Sequence, residues 1–195
     1  MTDQELWQRA VLQLRKEFDS LPAAMRLELA GAARRIRELK TGIHQIAADS
    51  GAAAICAECG GECCLCGKFH VTVIDLLIYL ISDREIFTPR FDRGLCPYMG
   101  DAGCLMAAAY RPFNCITFNC ERIEGLWEPA SVERFYGLEQ ELRSSYAQLE
   151  QLFANRFVGG LLQNFQRDVL QGDGRFLKLK PAAGSRDKSF PDEQS

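Results

Sequence analysis

Apolar positions recur at intervals of three and four along much of the chain. Trp7, Val11, Leu14, Phe18 and Leu21 make a first stripe, and Met25, Leu29, Ala32, Ile36, Leu39, Ile43 and Ile46 a second. That spacing gathers each set on one helix face, so residues 3–49 are predicted to form two helices. Pro22 suits the first turn of the second helix, and the short connection favours an antiparallel pair. A third stripe, Val132, Phe135, Leu142, Tyr146, Leu149 and Phe153, predicts a long helix with Ser131 as its N-cap. Gly159-Gly160 should break or bend it, and Leu161, Phe165 and Val169 carry the pattern onward to residue 171.

Between residues 50 and 127 the periodicity fades and Gly, Pro and Cys become dense. One helix still stands out. Thr72-Val73-Ile74-Asp75 is a capping box in acidic form, and Leu76, Leu77, Leu80 and Ile81 supply an apolar face. A helix over residues 73–82 follows. After Gly172 the chain turns to Gly, Pro, Ser and charge, the composition of a loose tail. The expected fold is mainly α: helical N- and C-terminal arms around an irregular cysteine-rich metal-binding centre. The expected divisions are a helical pair (1–50), the cysteine-rich domain (51–127), C-terminal helices (128–172) and a tail (173–195).

Composition narrows the function class. Of the 195 residues 47% are apolar, enough for a true core, and the formal net charge of −3 argues against a nucleic-acid surface. Arg34, Arg35, Arg37 and Lys40 share their helix with Glu28 and Glu38, which reads as a solvated face. The first residues lack the basic and apolar regions of a secretory signal. The most apolar run, 71–81, contains Thr72 and Asp75 and falls short of the roughly 20 residues that span a bilayer. The expectation is a cytoplasmic chain with neither a nucleic-acid nor a membrane partner.

In a reducing compartment clustered cysteines hold metal or do redox work more often than they form disulfides. All nine cysteines fall between residues 56 and 120. With only two histidines, His44 and His70, any bound metal must be held mainly by sulfur. The first cluster reads Cys56-Ala-Glu-Cys59-Gly-Gly-Glu-Cys63-Cys64-Leu-Cys66. Two intervening residues form a tight turn that lets two thiolates converge, and Gly60 and Gly61 let amide N–H groups approach sulfur. The second cluster holds Cys96, Cys104, Cys115 and Cys120, with Leu95, Leu105, Met106, Phe113, Ile116 and Phe118 as an apolar wrapping. Cys56, Cys59, Cys63, Cys64, Cys96, Cys104, Cys115 and Cys120 are therefore the candidate ligands. Eight thiolates exceed one tetrahedral zinc, so either two sites exist or some thiols stand outside the metal. The adjacent pair Cys63-Cys64 leans toward a polynuclear iron–sulfur centre, because consecutive side chains diverge.

The order Cys-x2-Cys-x3-Cys-Cys, a Thr-x-x-Asp helix, Cys-Pro-Tyr, Gly-Cys and Arg-Pro-x-x-Cys resembles the YkgJ-type cysteine-cluster family over residues 56–120. The resemblance implies a zinc- or iron-chelating domain, sometimes labelled iron–sulfur. It matches Cys56, Cys59, Cys63, Cys64, Cys96, Cys104 and Cys115, with Asp75, Arg111 and Pro112 as accompanying residues. Three features depart from the pattern: Ile116 where the family often has Arg, a longer Cys104-to-Arg111 spacing, and the extra Cys66. The pattern also resembles the longer flagellin lysine-methylating proteins.

Other side chains have competing roles. His70 is either a zinc ligand or a surface or capping residue beside a helix start, and His44 reads as structural. Arg111 would offset thiolate charge or pair with a carboxylate. Asp75 is explained by its cap, and Glu58 and Glu62 as solvated residues. Three functions compete: a metal or cluster module for electron transfer, sensing or metal handling; a protein-lysine methylation enzyme; and a structural-zinc scaffold whose helical arms meet a protein partner.

Overall fold

The computed structural model describes residues 1–58, 67–92, 96–100, 103–157 and 159–180, with Cys56 described in its backbone only. Over these residues the chain is mainly helical, as the periodicity predicts. Helix α1 (Asp3–Asp19) opens on a capping box. Thr2 N–H donates to Glu5 Oε2 at 2.7 Å, and Glu5 N–H donates to Thr2 Oγ1 at 3.2 Å. Such a cap contributes about 1 kcal/mol. Helix α2 (Ala23–Asp49) has Pro22 at its N-cap, one position before the expected first turn. Its end at Ser50 is followed by Gly51 with φ +76°, which turns the chain away.

A short helix α3 (Ala52–Glu58) leads into the cysteine-rich segment. Helix α4 (Val73–Ile81) forms where the capping box places it: Asp75 N–H donates to Thr72 Oγ1 and Thr72 N–H donates to Asp75 Oδ2. Beyond it come a two-residue hairpin, β1 (Met99–Gly100) against β2 (Gly103–Cys104), and the short helices α5 (Phe113–Thr117) and α6 (Glu121–Glu124).

Helix α7 (Pro129–Glu150) starts before the expected cap Ser131, because Pro129 occupies its first turn, where a missing N–H costs nothing. The helix stops at Glu150, short of Gly159-Gly160. After an irregular stretch, α8 (Leu161–Asn164) runs into a π-helical turn, Phe165–Leu170.

Helix α2 lies along α7, and α4 meets α1, α2 and α7. One core results. Leu14 of α1, Leu29, Ile36 and Ile43 of α2, Leu76 and Leu77 of α4, and Phe135 and Leu142 of α7 share it. Each such side chain, fully buried, contributes about 1.5–3 kcal/mol. Helix α4 is buried from Val73 to Tyr79, so this helix of the cysteine-rich segment runs through the core rather than beside it.

Residues 173–180 depart from the expected loose tail. Phe176 is fully buried against Phe165, ring centroids 5.9 Å apart. The Phe176 and Leu177 amides donate to the two carboxylate oxygens of Glu17, at 3.1 and 2.7 Å. Polar neighbours hide this pair of apolar residues from a composition-based reading. The rest of that expected tail, 181–195, lies outside the described residues. Among the described residues no helix is long and apolar enough to cross a membrane.

Candidate metal centre

Cys59, Cys63, Cys64 and Cys66 lie outside the described residues, as do Gly60, Gly61 and Glu62. What the structure places are the two flanks of that run and all of the second cluster. Upstream, α3 carries the backbone of Cys56 and packs on α6. Cys120 occupies the N-cap position of α6 and joins a small apolar cluster with Ala52, Ile55, Ile123 and Trp127. Downstream, Gly67 lies directly against Cys96. A Cβ built on Gly67 would overlap Cys96 Sγ and sit 3.1 Å from Cys96 Cβ. Three residues on, His70 Nδ1 lies 3.3 Å from Cys115 Sγ. Both flanks of the first cluster therefore abut members of the second.

The segment 67–72 is fixed on every side. Tyr98 O–H donates to the Lys68 carbonyl at 3.0 Å, and Lys68 Nζ pairs with Asp3 at 3.0 Å. Gly160 presses on the Phe69 backbone so closely that a Cβ there would overlap the Phe69 carbonyl. Leu161 N–H donates to the Val71 carbonyl at 2.6 Å. Tyr98 is itself held in an aromatic nest with Trp7 and Phe87, the latter edge-on at 5.5 Å. Burial pushes the Tyr98 hydroxyl well above its usual range, and the nearby Cys96 and Cys115 thiolates add to the shift. It stays a neutral donor. Burial also lowers the pKa of His70, which favours the neutral imidazole.

Asp75 does more than cap a helix. Its Oδ2 accepts from Thr72 N–H and Thr72 Oγ1–H at 2.9 and 2.8 Å, and its Oδ1 accepts from Lys40 Nζ at 2.9 Å and Tyr146 O–H at 2.6 Å. A carboxylate offers about four acceptor sites, and here all are taken. Asp75 is thus closed to a metal or a transferable proton, and it ties α2, α4 and α7 together. Lys40 belongs to this hub and not to a solvated face: its side chain is 0% exposed. The arginine run is accordingly split. Arg34 and Arg35 face outward, Arg37 N–H donates to Tyr110 O–H oxygen at 3.0 Å, and Lys40 points into the core. Tyr146 is a half-buried residue beside Cys115, and desolvation of its hydroxyl followed by the Asp75 charge holds that hydroxyl far above the usual phenol range.

Cys104 has its own neighbours. It lies on β2 opposite Met99, beside Tyr79, whose hydroxyl is pushed up by burial and then by Cys104. The expected apolar wrapping holds only in part: Met106 and Ile116 are buried, whereas Leu105 is 40% and Phe118 61% exposed. Leu105 lies in the bend after β2 and Phe118 is the extended residue that ends α5, so both side chains reach solvent, while Leu95 lies outside the described residues. Arg111 Nε–H donates to the Met106 carbonyl at 3.3 Å, a main-chain partner that neither expected role included. Glu58 pairs with Arg122 at the surface, consistent with a solvated residue.

Zinc and iron–sulfur centres take thiolate sulfur and neutral imidazole nitrogen, and the donors placed here are of those types. Among the described residues, no three of His, Cys, Asp and Glu gather at one point. Lys40 and Tyr146 were hidden in the sequence because their partner is remote, 35 and 71 residues away. No protein-family model, curated protein or solved structure matches the chain.

Proposed function

We propose that the segment 56–120 binds a metal, either an iron–sulfur cluster or zinc, through clustered cysteine thiolates, and that it serves electron transfer, sensing or metal handling. The donor set is Cys56, Cys59, Cys63, Cys64, Cys96, Cys104, Cys115 and Cys120, and the reading agrees with the YkgJ-type pattern of the sequence. The observation that supports it best is the meeting of the two cysteine clusters at their flanks, Gly67 on Cys96 and α3 on α6. A bound metal would supply charge compensation for converging thiolates. The chain's own part is to hold them in place through the Asp75 hub and the pinned segment 67–72, and to keep much of their surround apolar. Anaerobic purification with visible absorption, metal analysis and acid-labile sulfide tests this. A brown protein with iron and sulfide supports the cluster. Stoichiometric zinc in a colourless protein that resists cluster reconstitution leaves a structural-zinc scaffold, and a chain with neither metal sinks the proposal.

A further inference from the structure

Resting on that reading of the site, the geometry points to His70 as a metal ligand through Nδ1, beside Cys115, so that the centre has mixed nitrogen and sulfur ligation. The cysteine pattern alone implies sulfur only.

Three observations converge. First, the Nδ1-to-Sγ separation of 3.3 Å is close to the spacing of two donors on one metal. With metal–sulfur and metal–nitrogen bonds of about 2.3 and 2.0 Å at a tetrahedral angle, that spacing is about 3.5 Å. Second, His70 is pre-positioned. Gly67 against Cys96, Tyr98 on the Lys68 carbonyl, Gly160 on Phe69 and Leu161 on the Val71 carbonyl fix the backbone around it. A ligand held by its surround keeps its aim without help from the metal. Third, two other oxygen donors of this region are already engaged. Asp75 has all its acceptor sites filled, and Tyr98 O–H is committed to Lys68. An imidazole in place of a thiolate removes one negative charge from the centre, which raises the potential of an iron–sulfur site.

The chain has only two histidines, so a nitrogen signal can be assigned without ambiguity. The full-length chain is labelled with 15N-histidine and loaded with cobalt(II) in place of zinc, or with its iron cluster reduced. Pulsed EPR then reads nitrogen coupled to the metal. A 15N-histidine coupling is expected in the wild type and in His44→Gln, and its loss in His70→Ala and His70→Cys. His70→Cys retains a donor, so it keeps metal stoichiometry and gains thiolate-to-metal absorption. It also guards against an alanine variant that fails to fold. Metal affinity in His70→Ala should fall by more than about tenfold, but an outer hydrogen bond to a thiolate has a similar effect. The nitrogen coupling is therefore the deciding readout. A wild type that holds metal without coupled histidine nitrogen overturns this inference and leaves the thiolate centre standing. A wild type that takes up neither metal overturns both.

Discussion

At the scale of single residues, charge placement matters most at Asp75. Removing one partner of a buried ion pair costs about 3–5 kcal/mol, because the other charge stays behind. Lys40→Met should therefore destabilise by about that much, although it keeps most of the side-chain volume. Tyr146→Phe removes a single hydrogen bond to the same carboxylate and should cost about 1.5–3 kcal/mol. Urea denaturation of both variants at equal metal content checks the order; equal losses would mean that the charge is not what the hub requires. His44 gives a pH test. Burial, then the charge of Arg111, lowers its pKa below the ordinary 6.5. The unfolded chain thus binds the proton first, so stability falls as pH drops through 6.5 toward the folded value and levels off beneath it. His44→Gln should shallow that slope between neutral and mildly acidic pH. An unchanged slope would assign the dependence to other groups.

At the scale of elements, the sequence was legible where one segment contains its own determinants. Helix α4 carries both its cap and its apolar positions within ten residues, and it forms as read. Helices α1 and α2 also fall within the expected span. Legibility fails where partners are distant. Nothing near Lys40 announces Asp75, and nothing near Phe176 announces Phe165 and Glu17. The candidate site was legible only as residue types and spacing; the junction of Gly67 with Cys96 depends on a fold in which α4 is already buried. That junction predicts a specific sensitivity. Gly67→Ala forces a methyl group into Cys96, whose Cβ also crowds it, so the strand of chain around Cys96 must move. Metal content should drop while far-ultraviolet circular dichroism stays close to wild type. A fully loaded Gly67→Ala chain would argue that Cys96 is not a ligand.

At the scale of the whole molecule, α4, inside the cysteine-rich segment, shares one core with the long helices, and this changes what chelation should do. A segment hung outside the core would loosen throughout 56–120. Here α4 packs directly on α1, α2 and α7. Chelation under reducing conditions should therefore speed hydrogen exchange in 67–72 and 113–120 while α4 keeps the protection of α2 and α7. Loss of protection in α4 together with the flanks would show that the metal supports the entire fold, and no change anywhere would count against a metal contribution to folding.

The docking of 176–177 onto Glu17 has a consequence for biosynthesis. Helix α1 is made more than 150 residues before the amides that engage its carboxylate and the ring of Phe176 that completes the core next to it. During translation the corresponding face of α1 stays open until residues 176–177 have left the ribosome. The thiols of residues 56–120 emerge well before that point. Nascent chains stalled short of residue 176 should therefore be more readily cleaved by protease near α1 and α8 than those stalled past residue 180, whichever metal has already been taken up.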